Sequence, residues 1–247
     1  MMVERTYRRL SPEAWRMLRR VSTATLTSQL LKAGFRNTFL SGVAPLRPDL
    51  RLLGYAFTLR YVPAREDLDM QVDYDNATNV QRLAVETIEP DEVLVIDARG
   101  ETRAASFGHI IATRIMRRGA AGLVSDGALR DTPRFRTLDL PVYAQAAHAT
   151  TSSVMHHPVD MNVPVACGGV QVQPGDLIAG DAEGVVVIPA HVAEDVALAA
   201  GRQDELEEFV LGKVQRGADI RGVYPPDATT RAEYEAQRTD KTHGGGA

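Results

Sequence analysis

The sequence GHIIATRIMRRGAAGLVSDGALRD at residues 108–131 predicts a helix, a short buried strand and a polar turn, one after another. Four apolar residues recur near the 3.6-residue period of a helix, namely Ile110, Ile111, Ile115 and Met116. Gly119 is placed to cap the end of that helix, and the run 122–125 then has the apolar character of a strand. A helix that leads into a buried strand is typical of an α/β fold.

The turn after this strand contains the candidate site residues. We predict that Gly127 ends the strand and bends the chain sharply. Asp126, Arg130 and Asp131 would then cluster at the C-terminal edge of the strand, where α/β proteins bind ligands. The guanidinium of such a pair can grip a carboxylate or a developing oxyanion, and the carboxylate can hold a hard cation. A solvated ion pair at the start of a helix would give the same spacing, so the spacing alone leaves both interpretations open.

Beyond this motif, the chain resembles the family of the regulator of ribonuclease activity A and 4-hydroxy-4-methyl-2-oxoglutarate aldolase. The resemblance covers residues 22–195 and includes PDEVLVID at 90–97, DGALRD at 126–131 and PGDLIAGDAEGVVVIP at 174–189. It implies a layered α/β/α-type sandwich with mixed sheets, similar to the swivelling phosphohistidine domain. It also implies a divalent-metal-dependent, class II aldolase-like lyase that cleaves a small 4-hydroxy-2-oxo acid to pyruvate, with oxaloacetate decarboxylase activity as a related reaction.

The resemblance implies a role for each residue of the motif. Arg130 would contact the substrate, and Asp131 would be the protein ligand of Mg²⁺ or Mn²⁺, with water at the other positions. The residues implied to bind the substrate, largely through backbone amides at the start of the helix, are Gly108, His109, Ile110, Ile111 and Arg130. Three groups stay open as the general base: a metal-bound water, His109, and an acidic residue of a neighbouring subunit.

Two positions depart from the aldolase pattern. Those aldolases usually carry an acidic residue three places after the motif aspartate, where this chain has Arg134, and commonly a glutamate where His109 stands. The rival function implied by the same resemblance is a non-catalytic regulator that binds and inhibits ribonuclease E. The family also implies a homotrimer or homohexamer, and Tyr224 and Tyr234 near the C-terminus offer apolar surface for such contacts.

Composition argues against several other classes of protein. The chain has 28 basic and 32 acidic residues among 247, so no overall charge draws it to nucleic acid and no such partner is expected. Cys167 is the only cysteine, which excludes an intrachain disulfide and fits a reducing cytoplasm. No apolar run approaches the roughly 20 residues that span a bilayer, and the N-terminus lacks a signal-like segment. We therefore expect a soluble, unprocessed cytoplasmic protein with no membrane partner.

We predict one α/β domain with an extension at each end. Residues 1–21 form an N-terminal helical extension, in which Ser11 and Pro12 begin a helix. Residues 22–195 form the main domain, which begins with a helix capped by Ser22 or Thr23. Residues 196–247 hold the rest of a C-terminal helix, which is predicted from His191, and a partly disordered tail ending in GGGA.

Within the domain, the patterns predict specific strands. Helices and strands alternate from 76 to 145, and glycine-punctuated strands at 165–189 are predicted to be antiparallel. The run VLVID at 93–97 indicates a strand buried on both faces. The run 54–62 alternates, which predicts a half-buried strand with its aromatic face in the core and Ala56, Thr58 and Arg60 on the other face.

Some polar clusters are predicted to be structural. The acidic run Asp67, Asp69, Asp73 and Asp75 lacks the spacing of a calcium loop and favours a solvated loop. Asn76 and Asn79 precede a helix near which the family often places polar site groups, and the sequence does not choose between them.

The remaining histidines and acids are also assigned to structure. His156 and His157 show no zinc-ligand spacing. Asp181 and Glu183 fit a tight turn between two strands, and completion of a neighbouring subunit's site is the alternative.

Overall fold

Eleven strands and eight α-helices form in residues 5, 9–69 and 75–243, which are the residues that the computed structural model describes. The strands are β1 Ala44–Pro45, β2 Leu52–Pro63, β3 Glu92–Asp97, β4 Ala105–Phe107, β5 Gly122–Leu129, β6 Val142–Ala147, β7 His156–Met161, β8 Val165–Cys167, β9 Val170–Val172, β10 Leu177–Gly180 and β11 Val185–Ile188. The helices are α1 Pro12–Leu18, α2 Thr23–Lys32, α3 Glu66–Asp69, α4 Val80–Thr87, α5 His109–Arg117, α6 Thr132–Phe135, α7 Ala193–Gln215 and α8 Ala228–His243. Short 3₁₀ helices cover Ser152–Val154 and Ala190–Val192.

Nine of the strands form one mixed sheet. Its main path runs β1-β6-β5-β3-β2-β10-β11, while β4 pairs with β5 and β7 pairs with β2. Along this path β6, β5, β3 and β2 are parallel, and β10 and β11 are antiparallel. The other two strands, β8 and β9, form a separate antiparallel hairpin. This architecture confirms the predicted α/β fold, the alternation of helices and strands at 76–145 and the antiparallel strands at 165–189.

Alternating side chains of the central strands contribute to two different clusters of the core. Leu94 and Ile96 of β3 pack with α4 and α5. Val93 and Val95 point the other way and pack with the β8–β9 hairpin. A third cluster joins α1, α2 and α7 to β10 and β11. The strands between these layers are therefore buried on both faces, as VLVID predicts.

The prediction that β2 is half-buried is wrong for most of the strand. Ala56 and Thr58 were expected on the open face of a half-buried strand, yet they are 1% and 0% exposed. That face is closed because Ala56 packs in the cluster formed by the β8–β9 hairpin, and the Thr58 hydroxyl donates a hydrogen bond to the carbonyl of Val163. Only Arg60, near the end of the strand, is exposed as predicted.

The strand β5 corrects a second prediction, that Gly127 ends it. The strand continues to Leu129, and its register shifts between Ser125 and Ala128. Before this irregularity β5 pairs with β3, and after it β5 pairs with β4. Glycine is needed at position 127 for close packing, because a Cβ atom there would lie 2.6 Å from the Cβ of Ala98.

The predicted starts of the first two helices and the predicted end of α7 are confirmed. Ser11 accepts a hydrogen bond from the amide of Ala14 at the start of α1, and Ser22 does the same for Thr25 at the start of α2. Helix α7 follows the predicted course to Gln215, whereas α8 was not predicted. The GGGA tail and Asp73 lie outside the described residues. Within the described part of the chain, no helix has the length and apolar character to cross a membrane.

Candidate functional site

A cavity of about 290 Å³ opens where β4 and β5 end and α5 begins. Its lining residues are Gln81, Arg82, Ala105, Phe107, Gly108, Ile110, Ile111, Arg130, Asp131, Thr151 and Ser152. Five of the six residues that the sequence predicts for the site are in this lining; they are Gly108, Ile110, Ile111, Arg130 and Asp131. The cavity lies at the C-terminal ends of parallel strands, the usual position of ligand sites in α/β folds.

Arg130 and Asp131 lie at the cavity because they directly follow the last residue of β5. The amide of Arg130 donates a hydrogen bond to the carbonyl of Phe107 at 3.1 Å, which fixes the end of β5 beside β4. Asp131 then adopts a left-handed conformation, with φ 61° and ψ 30°, and begins α6. Aspartate is among the few residues that tolerate this conformation. The Asp131 side chain makes no capping hydrogen bond to α6, so its position does not serve the helix.

The two side chains form a loose pair. The Nε atom of Arg130 lies 3.7 Å from Oδ2 of Asp131, and the side chains are 43% and 41% exposed. A contact this long and this accessible to water stabilises the fold very little. Both groups therefore keep most of their hydrogen-bonding capacity for a ligand. The described residues contain no group of three acidic, histidine or cysteine side chains arranged to hold a metal ion.

The N-terminus of α5 completes the cavity. Gly108 precedes the helix with φ -127° and ψ 164°, and no side chain caps the helix start. The first amides of α5 have no acceptor within the helix, and the helix dipole makes this end positive. A Cβ atom at Gly108 would lie 3.3 Å from Cγ of Arg130 and 3.5 Å from Oδ2 of Asp131. Glycine thus permits the close approach of the helix start to both side chains.

The structure places His109 differently from the other predicted site residues. Its ring packs edge-on against Phe135 of α6, with 6.2 Å between ring centroids, and it is absent from the cavity lining. Phe135 is fully buried, so this contact connects the start of α5 to the core. Its neighbour Ile110 is 81% exposed at the rim of the cavity. Arg134, at the position where the aldolases carry an acid, is also exposed.

Sequence reasoning missed the cavity residues contributed by α4 and by the segment at 151–152. Asn79 accepts a hydrogen bond from the amide of Arg82 at 3.2 Å and so begins α4, and neither Asn76 nor Asn79 lines the cavity. Gln81 and Arg82 then lie in the first turn of this helix, at the cavity wall. The capping signal of Asn79 was visible in the sequence, but the approach of α4 to β4 was not.

Asp126 does not line the cavity. Its carboxylate accepts hydrogen bonds from the amides of Ala98 at 2.7 Å and Gly100 at 3.2 Å, in the loop after β3. The predicted cluster with Arg130 and Asp131 is therefore wrong, because the continuation of β5 separates the two aspartates. Burial raises the pKa of the Asp126 carboxyl, the amide hydrogen bonds oppose this effect, and nearby Asp97 adds to it.

The other polar residues have partners within the chain. Asp181 accepts hydrogen bonds from the amide and hydroxyl of Thr23 at 2.8 and 2.9 Å, which favours the turn interpretation. His157 pairs with Asp69 at 2.7 Å. His156 is buried, its Nε2 atom lies 3.1 Å from the carbonyl of Ala104, and burial lowers its pKa.

The family model and the similar proteins agree on one family. A family model described as RraA-like, Aldolase/RraA, matches residues 23–187. A protein from Halalkalibacterium halodurans, named as a candidate 4-hydroxy-4-methyl-2-oxoglutarate aldolase, is 38% identical over 119 residues, which are 48% of this chain and 56% of that protein. A candidate aldolase of the same name from Azotobacter vinelandii is 37% identical over 105 residues, 42% of this chain and 64% of that protein. The chain thus spans less than two thirds of these relatives.

Solved structures agree with this result. Streptomyces coelicolor RraAS2, described as an unusual member of the RNase ES inhibitor RraA protein family, has a TM-score of 0.73 and 34% identity, covering 82% of this chain and 98% of that one. An uncharacterized protein from Pseudomonas syringae pv. tomato has a TM-score of 0.76 and 23% identity, covering 88% of this chain and 100% of that one, which shows the fold alone. Because the family model also covers more than half of the sequence, the chain belongs to the RraA-like (Aldolase/RraA) family.

Proposed function

We propose that this chain is a divalent-metal-dependent lyase that cleaves a 4-hydroxy-2-oxo acid to pyruvate. The observation that carries the proposal is the convergence of Arg130, Asp131 and the uncapped N-terminus of α5 on one cavity. A 2-oxo acid requires groups that bind its negative charge, and the helix start and the guanidinium suit this role. Its metal ion requires an available carboxylate. The names of the two candidate aldolases support the same class of reaction.

The residues of the chain would bind the substrate and stabilise the charge that develops in it. The amides at the start of α5 bind the carboxylate next to the 2-oxo group. When the C3–C4 bond breaks, the C4 hydroxyl gives its proton to a general base and C4 becomes a carbonyl carbon. The electron pair of the broken bond moves into the three-carbon fragment and gives the enolate of pyruvate, which is then protonated at C3. Arg130 stabilises the negative charge on the enolate oxygen.

Asp131 would hold the metal ion, either Mg²⁺ or Mn²⁺. The observation that supports this assignment is its unengaged carboxylate, which caps no helix and lies 3.7 Å from the nearest guanidinium nitrogen. A single carboxylate with water at the remaining positions suits Mg²⁺, which gives up its water reluctantly. When bound, such an ion supplies Lewis-acid polarisation of the 2-oxo group.

Pyruvate release tests the proposed reaction. The purified chain would be incubated with 4-hydroxy-4-methyl-2-oxoglutarate, 4-hydroxy-2-oxoglutarate and oxaloacetate, each with Mg²⁺ and with a chelator. Oxaloacetate belongs in the set because its decarboxylation passes through the same enolate. We expect metal-dependent release of pyruvate above the rate of heat-inactivated protein. Release no faster than that background for all three acids would overturn the lyase.

A second candidate function is a regulator that binds and inhibits ribonuclease E. The 34% identity to RraAS2 over most of this chain favours it. Surface plasmon resonance against purified ribonuclease E, together with an RNA cleavage assay, would test it. Binding and inhibition that persist in the Asp131→Asn variant, with no pyruvate release from the wild type, would favour the regulator over the lyase.

Self-association into a trimer or hexamer is the remaining part of the proposal. Apolar side chains on α7 and the segment after it support it, since Leu211, Ile220 and Tyr224 are more than half exposed around one groove. Light scattering at micromolar concentration would then give three or six chains per particle. Removal of residues 218–247 should weaken this assembly, whereas a wild-type monomer of 26.9 kDa that releases pyruvate would contradict it.

A further inference from the structure

Gln81 is a polar side chain of the cavity wall that the proposed chemistry does not use. It lies in the first turn of α4, lines the cavity and is 7% exposed. A buried amide with unused hydrogen-bonding capacity is costly for a fold, so the partners of both its ends matter.

The amide nitrogen of Gln81 is fixed by the core. Its Nε2 atom donates to the hydroxyl of Tyr61 at 2.6 Å and to the carbonyl of Ser106 at 3.0 Å. The Tyr61 hydroxyl donates to the same carbonyl at 3.0 Å. Because a carbonyl only accepts hydrogen bonds, the atom facing Ser106 must be the nitrogen, which decides the orientation of the amide.

The amide oxygen is the end of the Gln81 side chain that the core does not use. Within residues 5, 9–69 and 75–243, both hydrogen bonds of this side chain are donated by its nitrogen, toward buried partners. Ser106 belongs to β4, and its neighbours Ala105 and Phe107 line the cavity beside Gln81. Because Gln81 lines the cavity and its nitrogen is held by the core, Oε1 is the atom of this amide that is available to accept from a ligand.

We propose that Oε1 of Gln81 accepts a hydrogen bond from a hydroxyl group of the ligand, and so selects hydroxy acids over acids that lack the hydroxyl. The inference rests on the proposed function, since it concerns the same cavity. Arg130 and the amides of α5 only donate, so they suit the carboxylate and the 2-oxo group. An amide oxygen only accepts, so it suits a hydroxyl and repels a carboxylate. The cavity thus has donors on one side and an acceptor on another.

Two ligands that cannot be cleaved test this selectivity without turnover. 2-Hydroxyglutarate and glutarate differ only in the hydroxyl, and neither has the 2-oxo group that would accept the electrons of a breaking C3–C4 bond. Calorimetry with the Mg²⁺-supplemented wild type should show the hydroxy acid binding about tenfold to a hundredfold more tightly. In Gln81→Met, which keeps the length of the side chain but removes the acceptor, this ratio should fall toward one.

The matched control is Gln171→Met, which makes the same change at an exposed position of β9. It should keep the wild-type ratio. Equal binding of the two acids by the wild type, no binding of either, or an unchanged ratio in Gln81→Met would each overturn the inference. If Gln81→Met does not fold, as judged by circular dichroism, Gln81→Asn takes its place, because it keeps the amide but shortens the side chain by one methylene, and it should likewise lower the ratio. Absence of pyruvate release would overturn the lyase but not the hydroxyl preference, which is measured on inert ligands.

Discussion

The two aspartates of the DGALRD motif lie only five residues apart in the chain, yet their surroundings are opposite. Asp126 is 6% exposed, and its two carboxylate oxygens accept hydrogen bonds from the amides of Ala98 and Gly100. Asp131 is exposed, adopts a left-handed conformation and leaves the helix after it uncapped. The first carboxylate ties β5 to the loop after β3, while the second remains available to a ligand.

The two aspartates differ in whether their own chain uses the hydrogen-bonding capacity of the carboxylate. The hydrogen-bonding capacity of Asp126 is used by its own chain, so removing the side chain should cost stability. Asp131 holds nothing together, so removing its charge should cost function alone. Substitutions at the two aspartates and at their neighbours in the site test this division.

Asp131→Asn should reduce metal-dependent pyruvate release by about a thousandfold or more, because a neutral amide is a much poorer ligand for a hard dication. The fold should survive, since asparagine tolerates the left-handed conformation at this position. Steady-state kinetics at limiting Mg²⁺ and urea unfolding would measure the two effects. Wild-type activity in this variant would remove Asp131 from the metal site.

Arg130→Lys should lower kcat/KM by roughly tenfold to a thousandfold, because a lysine ammonium cannot reproduce the planar fork that grips a carboxylate or an enolate. The side chain is 43% exposed and pairs only loosely with Asp131, so stability should change little. Arg134→Lys, on the exposed surface of α6, makes the same change outside the cavity and should leave kcat/KM unaltered. Unchanged kinetics in Arg130→Lys would contradict a role of the arginine in substrate binding and favour a structural role.

Asp126→Ala should lower the free energy of unfolding by about 1–3 kcal/mol, because the amides of Ala98 and Gly100 lose their acceptor. Urea unfolding monitored by circular dichroism would measure the loss. Asp131→Ala is the matched control at the other end of the motif and should cost far less stability. Equal losses in the two variants would contradict the division between the aspartates.

Gly108→Ala should lower kcat/KM by about threefold to tenfold, because the new methyl group would displace Arg130 by a few tenths of an ångström. Its φ of -127° is allowed for alanine, so the fold should tolerate the change. Gly212→Ala in α7 is the control, because a Cβ there meets only the end of the Arg216 side chain. It should leave kinetics unaltered and raise stability by about 0.5–1 kcal/mol.

Much of the fold follows from local signals in the sequence. Ser22 before α2 and the continuous apolar run of β3 predict their elements because caps and burial patterns depend on neighbouring residues. The burial of Thr58 could not be predicted, since its hydroxyl partner, the carbonyl of Val163, lies more than 100 residues later in the chain. The bulge in β5 was missed for the same reason, because Gly127 is required by contact with Ala98 of another strand end. For the site, the motif identified Arg130 and Asp131, but only tertiary packing brings Gln81 to their cavity.

The smallest expected effect is the pH dependence that the buried Asp126 gives to the unfolding free energy. Burial raises the pKa of Asp126 above its ordinary value of 3.8, so the folded chain holds this proton more tightly than the unfolded chain. The stability linked to this proton is fully present below pH 3.8 and is lost as the pH rises through the folded-state pKa. Asp126→Asn cannot titrate, so the unfolding free energy of the wild type minus that of Asp126→Asn should decrease across this range. A difference for Asp126 that instead increases with pH would show that the hydrogen bonds from Ala98 and Gly100 outweigh burial and lower the pKa.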